Sequence, residues 1–252
     1  MLAHIKKILS SLCLSEKNYS FFNFFRDNIK KRTGNFLPSS YAPQRIHTIK
    51  FHTQNENSLK KFDFKEFESL TGVKYLSELE FENRRVLRQI REQCNRAFEG
   101  GCIDEKRQWL GALYGKDIQN RHIADVYINW VNKKIGYGLF AERDLKAWEF
   151  IGEYTGLVKE RDIIFCNIND YCFSYPTSPL NFKKHTIDAQ DMGNETRYAN
   201  HSDFPNCESI SVFYNGTIHI IIRSIKEIPA HSQITYNYKD LYWRSREKIP
   251  NF

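Results

Sequence analysis

The second half of the chain, from Val126 onward, consists of short runs of β-branched and aromatic residues separated by turn formers. The strongest of these signals is Asn215–Gly216, a dipeptide that favours the type I′ turn of a β-hairpin. No helical segments alternate regularly with these runs, so the pattern excludes a doubly wound nucleotide-binding fold. The predicted strands are Gly138–Ala141, Phe150–Tyr154, Ile210–Tyr214, Thr217–Arg223 and Ile234–Tyr238.

Residues 62–121 are predicted to be helical instead. Ser77 followed by Glu80 has the spacing of a capping box and predicts the start of a first helix. A second helix is expected from Asp104 to Tyr114. The predicted stops are Gly100–Gly101 and Gly115. The side chains expected to face the core are Val86, Leu87, Ile90, Cys94, Ala97, Phe98, Trp109, Leu110 and Leu113.

The formal net charge of +7 comes from the N-terminal end of the chain. Residues 1–61 carry 11 Lys and Arg against 3 Asp and Glu, whereas the remaining residues carry 26 against 27. A basic arm of this kind, expected to be partly ordered, favours an anionic partner, either nucleic acid or a membrane surface. An ordinary solvated surface rich in lysine explains it equally well. No apolar run approaches the roughly 20 residues of a membrane span.

The six cysteines are scattered along the chain without a C-x-x-C pair. Because that spacing brings two thiolates to one zinc ion, no structural zinc site, and no other metal, is expected. A disulfide framework is not expected either at this density of cysteine. The composition therefore indicates free thiols in a reducing compartment.

Five short motifs in the second half carry the chemistry of the chain. Each is weak alone: Gly136–Tyr137–Gly138 is typical of a tight turn, and it lacks the third glycine and the helix of a dinucleotide loop. The most polar motif contains Asn-His-Ser and is rich in turn formers. In chain order, the motifs are Gly136–Ala141, Phe150–Gly156, Ile187–Ala189, Gly193–Asn206 and Ile234–Tyr238.

Together and in this order, the motifs resemble those of the SET-domain protein lysine methyltransferases. In this chain, the sequences of the family motifs are Gly-Tyr-Gly-Leu-Phe-Ala, Ile-Gly-Glu-Tyr-x-Gly, Ile-Asp-Ala, Gly-Asn-x-x-Arg-Tyr-x-Asn-His-Ser-x-x-Pro-Asn and Thr-Tyr-x-Tyr. The resemblance implies an α+β, mainly-β fold of small sheets with a knot-like C-terminal segment, preceded by a helical N-terminal region. The expected domains are a basic arm (1–61), a helical region (62–125), the SET domain (126–241) and a tail that closes the active site (242–252).

The resemblance also implies S-adenosylmethionine as cofactor and a role for each matching residue. Tyr238 is the expected catalytic tyrosine, Tyr154 lines the lysine channel, and Tyr236 favours mono- or dimethylation over trimethylation. The expected cofactor-binding residues are Gly136, Tyr137, Gly138, Arg197, Asn200, His201 and Trp243, with Arg197 supporting the loop. The expected substrate-binding residues, along a strand edge that pairs with the substrate, are Asp170, Tyr171, Cys172, Phe173, Ser174 and Tyr175.

The chain departs from the family pattern after the Asn-His-Ser tripeptide. Asp203 stands where the family usually has cysteine, and no cysteine follows Cys207, so the trailing zinc site of many members is not expected. Tyr242 and Trp243 are therefore candidates to pack on the adenine, although they fit a simple core cap equally well. In lacking that zinc site, the chain is similar to bacterial SET proteins, including those of chlamydia-like bacteria. Such a protein acts either in the bacterial cytoplasm or in the nucleus of a host cell.

The substrate is left open by the sequence. A histone or histone-like basic protein is expected by family analogy, and a ribosomal or metabolic protein is the alternative enzyme substrate. A catalytically weak SET module that binds chromatin or a peptide through its basic arm is a further alternative. The oligomeric state is not predicted.

Overall fold

The computed structural model describes residues 47–52, 58–161, 169–176 and 185–243, and short β-strands dominate them. The helices are α1 (Phe64–Thr71), α2 (Arg84–Glu99), α3 (Glu105–Gln119) and α4 (Asp240–Trp243). The strands are β1 (Ile49–His52), β2 (Lys60–Phe62), β3 (Lys74–Tyr75), β4 (Glu80–Phe81), β5 (Val126–Asn132), β6 (Gly136–Ala141), β7 (Phe150–Glu153), β8 (Leu157–Glu160), β9 (Cys172–Ser174), β10 (His185–Asp188), β11 (Met192–Gly193), β12 (Asn200–His201), β13 (Cys207–Tyr214), β14 (Thr217–Ser224) and β15 (Gln233–Tyr236). No helix within these ranges is long and apolar enough to cross a membrane.

The strands form small sheets, which confirms the predicted mainly-β α+β class. The largest sheet has the order β12–β15–β6–β5–β1–β2, and the others are β4–β8–β10–β9, β13–β14–β7 and β11–β3. Strand β15 pairs antiparallel with β6 and parallel with β12, where Asn200 lies opposite Thr235 and His201 opposite Tyr236. Three of the five sequence motifs are thereby brought side by side in one sheet.

Strand β1 lies inside the segment that the sequence predicts as the basic arm. Its residues Ile-Lys-Phe-His alternate in burial, with Ile49 and Phe51 on the core side. Phe51 is paired with Ile128 of β5 in parallel register. Residues 47–52 are thus part of the main sheet, while residues 1–46 of the arm lie outside the described residues.

Helix α1 is the element with a complete capping box. The Asp63 side chain accepts a hydrogen bond from the Glu66 backbone N–H, and the Glu66 side chain accepts one from the Asp63 N–H, both at 2.9 Å. The helix ends at Gly72, whose φ of 71° is the left-handed conformation that glycine adopts without strain. Phe67 anchors the helix in the core.

The predicted start of the next helix at Ser77–Glu80 is wrong. Glu80 and Phe81 form β4, which pairs in parallel with β8, so the long-range backbone pairing outweighs the local capping signal. Helix α2 begins at Arg84 instead, with Asn83 as the residue whose side chain accepts the Val86 N–H at 3.0 Å. The helix ends before Gly100, as predicted.

Helix α3 begins after Asp104, as predicted, but its inward face was assigned partly wrongly. Leu110 is buried, whereas Trp109 and Leu113 are 63% and 51% exposed. Gly115 does not stop the helix, which continues to Gln119.

Gly111 and Gly115 explain this orientation of α3. A Cβ atom on Gly111 would lie 1.8 Å from the carbonyl oxygen of Phe213, and one on Gly115 would lie 2.4 Å from the ring of Tyr214. The two glycines therefore form the face on which strand β13 lies in direct contact with the helix backbone. This close approach fixes the rotation of the helix and turns Trp109 toward solvent.

The β-hairpin of the second half is confirmed. Tyr214 is paired with Thr217 at the end of β13 and β14, and the two residues between them have φ values of 48° at Asn215 and 79° at Gly216. Positive φ at both central residues is what a type I′ turn requires. Strand β14 continues the sheet to β7, and it thereby links the hairpin to the Ile-Gly-Glu-Tyr motif.

Candidate active site

A 3₁₀ helix at Glu195–Tyr198 lies at the centre of the site, and Asn194 fixes its start. The Asn194 amide donates to the carbonyl oxygen of Glu153 at 2.8 Å, and its own oxygen accepts the backbone N–H of Thr196 at 3.1 Å. The Thr196 hydroxyl lies within 3.2 Å of the same Glu153 carbonyl. All these groups are buried, so the Gly-Asn-x-x-Arg-Tyr motif is tied firmly to strand β7.

Arg197 supports the loop at Ala189 and Gln190, which precedes the Asn-His-Ser motif. Its Nε donates to the carbonyl oxygen of Ala189 at 2.8 Å and its Nη2 to that of Gln190 at 3.0 Å. The guanidinium carbon lies 4.0 Å from the ring centre of Tyr171 and 4.9 Å from that of Tyr198. One cation thus joins the Ile-Asp-Ala motif to two aromatic side chains.

The Gly-Tyr-Gly motif is in direct contact with Asn200. The Asn200 amide donates to the carbonyl oxygen of Tyr137 at 3.1 Å. A Cβ atom on Gly138 would lie 2.6 Å from Nε2 of Gln233 and 2.9 Å from a methyl group of Val131, so only glycine fits here. Gly136 has a φ of 81°, which makes glycine the favoured residue at the turn as well. The structure therefore places the predicted cofactor-binding residues of β6 and β12 together.

The surroundings of His201 favour one tautomer of its ring. The backbone N–H of Tyr238 donates to its Nδ1 at 3.2 Å, which favours the tautomer with the proton on Nε2. Nε2 faces the Asp203 carboxylate at 3.2 Å. The ring of Trp243 packs edge-on against His201, with ring centres 4.8 Å apart.

The three predicted catalytic tyrosines lie together with one phenylalanine. The rings of Tyr236 and Tyr238 are 4.8 Å apart, and Phe173 lies 4.5 Å from Tyr154 and 5.9 Å from Tyr236. The Tyr238 hydroxyl donates to the carbonyl oxygen of Ala199 at 2.9 Å, which connects the last strand to the Asn-His-Ser motif.

All three phenols stay protonated at any physiological pH. Burial, together with the proximity of Tyr238, raises the pKa of Tyr154 and of Tyr236 well above the ordinary value. Burial and the proximity of Tyr242 raise the pKa of Tyr238 in the same direction. The cluster can therefore donate and accept hydrogen bonds, but it does not provide a phenolate base.

The predicted substrate-binding stretch contains residues of an outer strand and one residue of the core. Strand β9, which contains Cys172 and Phe173, is the outer strand of its sheet within the described ranges and pairs only with β10. The Tyr154 hydroxyl donates to the Tyr171 carbonyl oxygen at 2.8 Å, which fixes the start of this strand. Tyr175 is buried and its hydroxyl donates to the carbonyl oxygen of Ile218 at 2.7 Å, so its side chain belongs to the core rather than to a free edge. Asp170 and Ser174 are exposed.

A cleft of about 410 Å³ lies beside the Gly-Tyr-Gly motif. This volume falls in the range of pockets for drug-sized ligands and cofactors. Its walls come both from the motifs and from the region before them. The lining residues are Phe51, Leu70, Thr71, Gly72, Val73, Tyr137, Tyr171, Gln190, Asp191, Arg197 and Tyr198.

The sequence patterns missed the residues that support this cleft from the N-terminal side. Phe51 and Phe67 pack against Tyr137 and Tyr198, respectively, and neither belongs to a motif. The alternation of apolar and polar residues from Ile49 to His52 is a short strand signal in the sequence that could have identified Phe51. Two buried carboxylates were missed as well: Glu195 contacts His47 and Tyr75, and Glu153 contacts His219.

Comparison with known proteins identifies a family domain in the second half of the chain. Residues 136–239 match the family model of the SET domain. Within the described ranges, no cluster of three or more His, Cys, Asp or Glu could hold a metal ion.

Several curated proteins are similar to this chain. A histone-lysine N-methyltransferase, H3 lysine-4 specific, of Aspergillus fumigatus is 26% identical over 235 residues, which cover 88% of this chain and 18% of the relative. Its namesake in Aspergillus oryzae is 30% identical over 233 residues, with the same coverage of 88% and 18%. The match to histone-lysine N-methyltransferase NSD3 of Mus musculus is 33% over 109 residues, 41% of this chain and 7% of the relative. The chain thus spans less than a fifth of the length of these relatives.

Proposed function

We propose that this chain, whose residues 136–239 match the SET-domain model, transfers a methyl group from S-adenosylmethionine to the side-chain amine of a lysine in another protein. The observation that carries this proposal is the hydrogen bond from the Tyr238 hydroxyl to the Ala199 carbonyl. This bond joins the last motif to the segment that contains Asn200 and His201. The residues that the family assigns to catalysis and to the cofactor then form one continuous site.

The residues present fit the cofactor of this family. The cleft offers a cation, Arg197, and an anion, Asp191, which suit a zwitterionic amino-acid end. Beside His201, the indole Nε1 of Trp243 is buried and makes no hydrogen bond to a described residue, so its N–H is available to donate a hydrogen bond to a ligand. Tyr137, Arg197, Asn200, His201 and Trp243 are the residues that would hold S-adenosylmethionine, which supplies an electrophilic methyl group on a sulfonium.

The tyrosine cluster provides the environment that an attacking lysine needs. A lysine amine has an ordinary pKa of about 10.4 and reacts only when neutral. The aromatic side chains of Tyr154, Phe173 and Tyr236 disfavour the charged ammonium by excluding water. The hydroxyl groups of Tyr154 and Tyr236 remain protonated and so orient the amine rather than deprotonate it. Because methyl transfer is an in-line displacement, this orientation supplies much of the rate.

We propose mono- or dimethylation as the preferred product. The Tyr236 side chain is buried among Tyr154, Phe173 and Tyr238, so its hydroxyl occupies space inside the cluster. Each methyl group added to the amine needs part of that space. A phenylalanine at this position would leave more room.

The proposed substrate is a histone or histone-like basic protein. Support comes from the relatives, whose names state a histone-lysine activity. Strand β9 is the outer strand of its sheet among the described residues, so its edge offers backbone groups to which an extended peptide could add as a strand. The positive charge of residues 1–61 supports an additional contact with nucleic acid or chromatin.

A radiolabelled methyl-transfer assay tests the proposal. The full chain is incubated with labelled S-adenosylmethionine and, separately, with core histones or a bacterial lysate, and Tyr238→Phe is the control. We expect label on histones that is lost in the variant. Label only on lysate proteins would support the methyltransferase activity but indicate a ribosomal or metabolic protein as the substrate instead of a histone. No label on any acceptor, with cofactor binding intact, would favour a SET module that binds chromatin or peptide without turnover.

A further inference from the structure

Helix α2 carries a concentration of arginine on one face. Its sequence contains five arginines, two glutamates and no lysine. Arg84, Arg88 and Arg91 follow one another at spacings of four and three residues, so they are neighbours along the helix surface. All three are exposed, whereas Val86 and Ile90 on the opposite face are fully buried. Arg84, Arg88 and Arg91 form the arginine stripe.

The arginine stripe works against the stability of its own helix. Like charges three and four residues apart on a helix repel one another. Arg84 also lies in the first turn, which contains no acidic residue, next to the positive end of the helix dipole.

The rest of the described structure does not compensate these charges. Among the described residues, no carboxylate forms an ion pair with the arginine stripe, although Glu92 lies one turn after Arg88. The neighbouring Arg85 differs, since its guanidinium approaches the Glu160 carboxylate at 3.8 Å. The stripe is therefore a set of exposed cations that costs the fold stability, which is what a surface reserved for an anionic partner looks like.

We propose that the arginine stripe binds the phosphate backbone of a double-stranded nucleic acid. A polyanion turns the repulsion within the stripe into attraction, because each guanidinium then faces a phosphate. The planar guanidinium binds two phosphate oxygens at once, which suits arginine better than lysine. This surface lies in the described fold, is distinct from the proposed contact through residues 1–61, and does not depend on methyl transfer.

The length of the stripe fits this partner. From Arg84 to Arg91 the helix rises about 10 Å, and each strand of a DNA duplex carries one phosphate per about 3.4 Å of its axis. A helix lying along the backbone therefore faces about three phosphates with its three arginines. Such contacts depend on charge and spacing and carry no information about the base sequence.

A membrane surface also presents phosphates, but α2 lacks a property of membrane-binding helices. Those helices insert a free apolar face among the lipids. The apolar face of α2 is already occupied, since Val86, Ile90 and Cys94 are fully buried in the core. The observations thus favour a nucleic acid over a lipid surface.

Fluorescence anisotropy of the full chain with a labelled DNA duplex of about 20 base pairs tests the proposal. The triple variant Arg84→Gln, Arg88→Gln and Arg91→Gln removes three charges but keeps good helix formers. We expect its Kd to rise at least about tenfold at about 0.1 M salt. The slope of log K against log salt concentration should become shallower by about 3, and by about 1 in Arg88→Gln alone.

The matched control removes the same charge from other helices. Lys65, Lys106 and Lys116 are exposed residues of α1 and α3, and all three are replaced by glutamine. The affinity of this variant for the duplex should stay within about twofold of wild type, because the contact is assigned to α2 alone. Urea unfolding of the triple arginine variant should show at least wild-type stability, since the mutual repulsion is removed.

Three results would overturn the proposal. They are an unchanged Kd and salt slope in the arginine variants, an equal loss of affinity in the lysine control, and a loss of binding that only accompanies unfolding. Tighter binding to vesicles with phosphatidylserine than to the duplex, abolished in the triple arginine variant, would replace the nucleic acid by a membrane. Since methyl transfer is not measured in any of these experiments, a failure of the proposed function leaves this test valid.

Discussion

The ring of Phe51 lies 4.8 Å from the ring of Tyr137, at an angle of 55°. Phe51 belongs to β1, far before the residues that match the SET model, whereas Tyr137 is the central residue of the Gly-Tyr-Gly motif. Phe67 of α1 has the same relationship to Tyr198, with ring centres 6.4 Å apart. Residues before the SET match therefore form the aromatic support of the cleft wall that contains Tyr137 and Tyr198.

Phe51→Leu should weaken cofactor binding without unfolding the protein. The substitution keeps an apolar side chain of similar volume, so we expect a loss of about 1 kcal/mol in the free energy of unfolding. The Tyr137 ring loses its aromatic neighbour, and the Kd for S-adenosylmethionine should rise about threefold. The two quantities are measured by urea unfolding and by calorimetry.

Phe213→Leu is the matched control for this prediction. Phe213 stacks on Phe98 at 5.1 Å, away from the cleft, so the variant should lose stability but keep its affinity for the cofactor. Equal affinities of the two variants would show that the contact between Phe51 and Tyr137 does not position the motif.

Tyr238→Phe should abolish turnover while leaving cofactor affinity nearly unchanged. The variant loses the hydroxyl of the proposed catalytic tyrosine, and we expect kcat to fall at least about 100-fold. The carbonyl of Ala199 loses its donor, at a cost of about 1 kcal/mol in stability. Tyr127→Phe, which removes an exposed hydroxyl of β5, is the control and should behave as wild type. A normal rate in Tyr238→Phe would remove this residue from the mechanism.

Tyr236→Phe should shift the products toward higher methylation. Removing the hydroxyl leaves room for a further methyl group in a cluster where Tyr236 is only 5% exposed. Mass spectrometry of a methylated peptide over the time course measures the ratio of mono-, di- and trimethyl lysine. If that ratio equals the wild-type ratio at the same total turnover, the proposed role of Tyr236 in product specificity is wrong.

The sequence predicted the second half of the chain well because its signals are local. Asn215–Gly216 determines a turn by its own φ preferences. Strands β6, β7 and β15 follow the apolar runs from which they were predicted.

The first half was predicted less well because its elements depend on distant partners. The capping-box spacing at Ser77 is overridden since Glu80 and Phe81 pair with strand β8. The outward position of Trp109 depends on Gly111, whose role is visible only when strand β13 lies against it. Periodicity alone could not reveal that a glycine face, rather than an aromatic face, contacts the sheet.

Gly111→Ala should destabilise the protein strongly for this reason. Its new methyl group would lie 1.8 Å from the Phe213 carbonyl oxygen, so helix α3 must move away from β13. We expect a loss of about 3 kcal/mol in the free energy of unfolding, although alanine is the better helix former. Urea unfolding of Gly111→Ala and of the exposed control Ala112→Gly measures the effect. A more stable Gly111→Ala variant would contradict the close contact.

The ion pair between His219 and Glu153 should make the stability of the fold depend on pH. The two side chains are 2.6 Å apart. Burial lowers the pKa of His219, but the charge and hydrogen bond of Glu153 and the Tyr214 carbonyl more than offset this, so the pKa is raised. His47 has a raised pKa for the same kind of reason: the effect of burial is outweighed by its bond to Glu195.

The sign of the effect follows from these raised values. An imidazolium favoured by the fold contributes its full stability below the unfolded pKa of about 6.5, and this contribution is lost as the pH rises through the raised folded pKa. The free energy of unfolding should therefore fall as the pH rises above about 6.5, measured by urea unfolding in buffers of constant ionic strength. His219→Gln should be less stable by about 3 kcal/mol at pH 6, where the wild-type pair is charged, and should have a flatter pH profile. His122→Gln, which leaves both ion pairs intact, is the control. If the free energy of unfolding depends on pH equally steeply in this control and in His219→Gln, the ion pair between His219 and Glu153 is not the origin of the pH dependence.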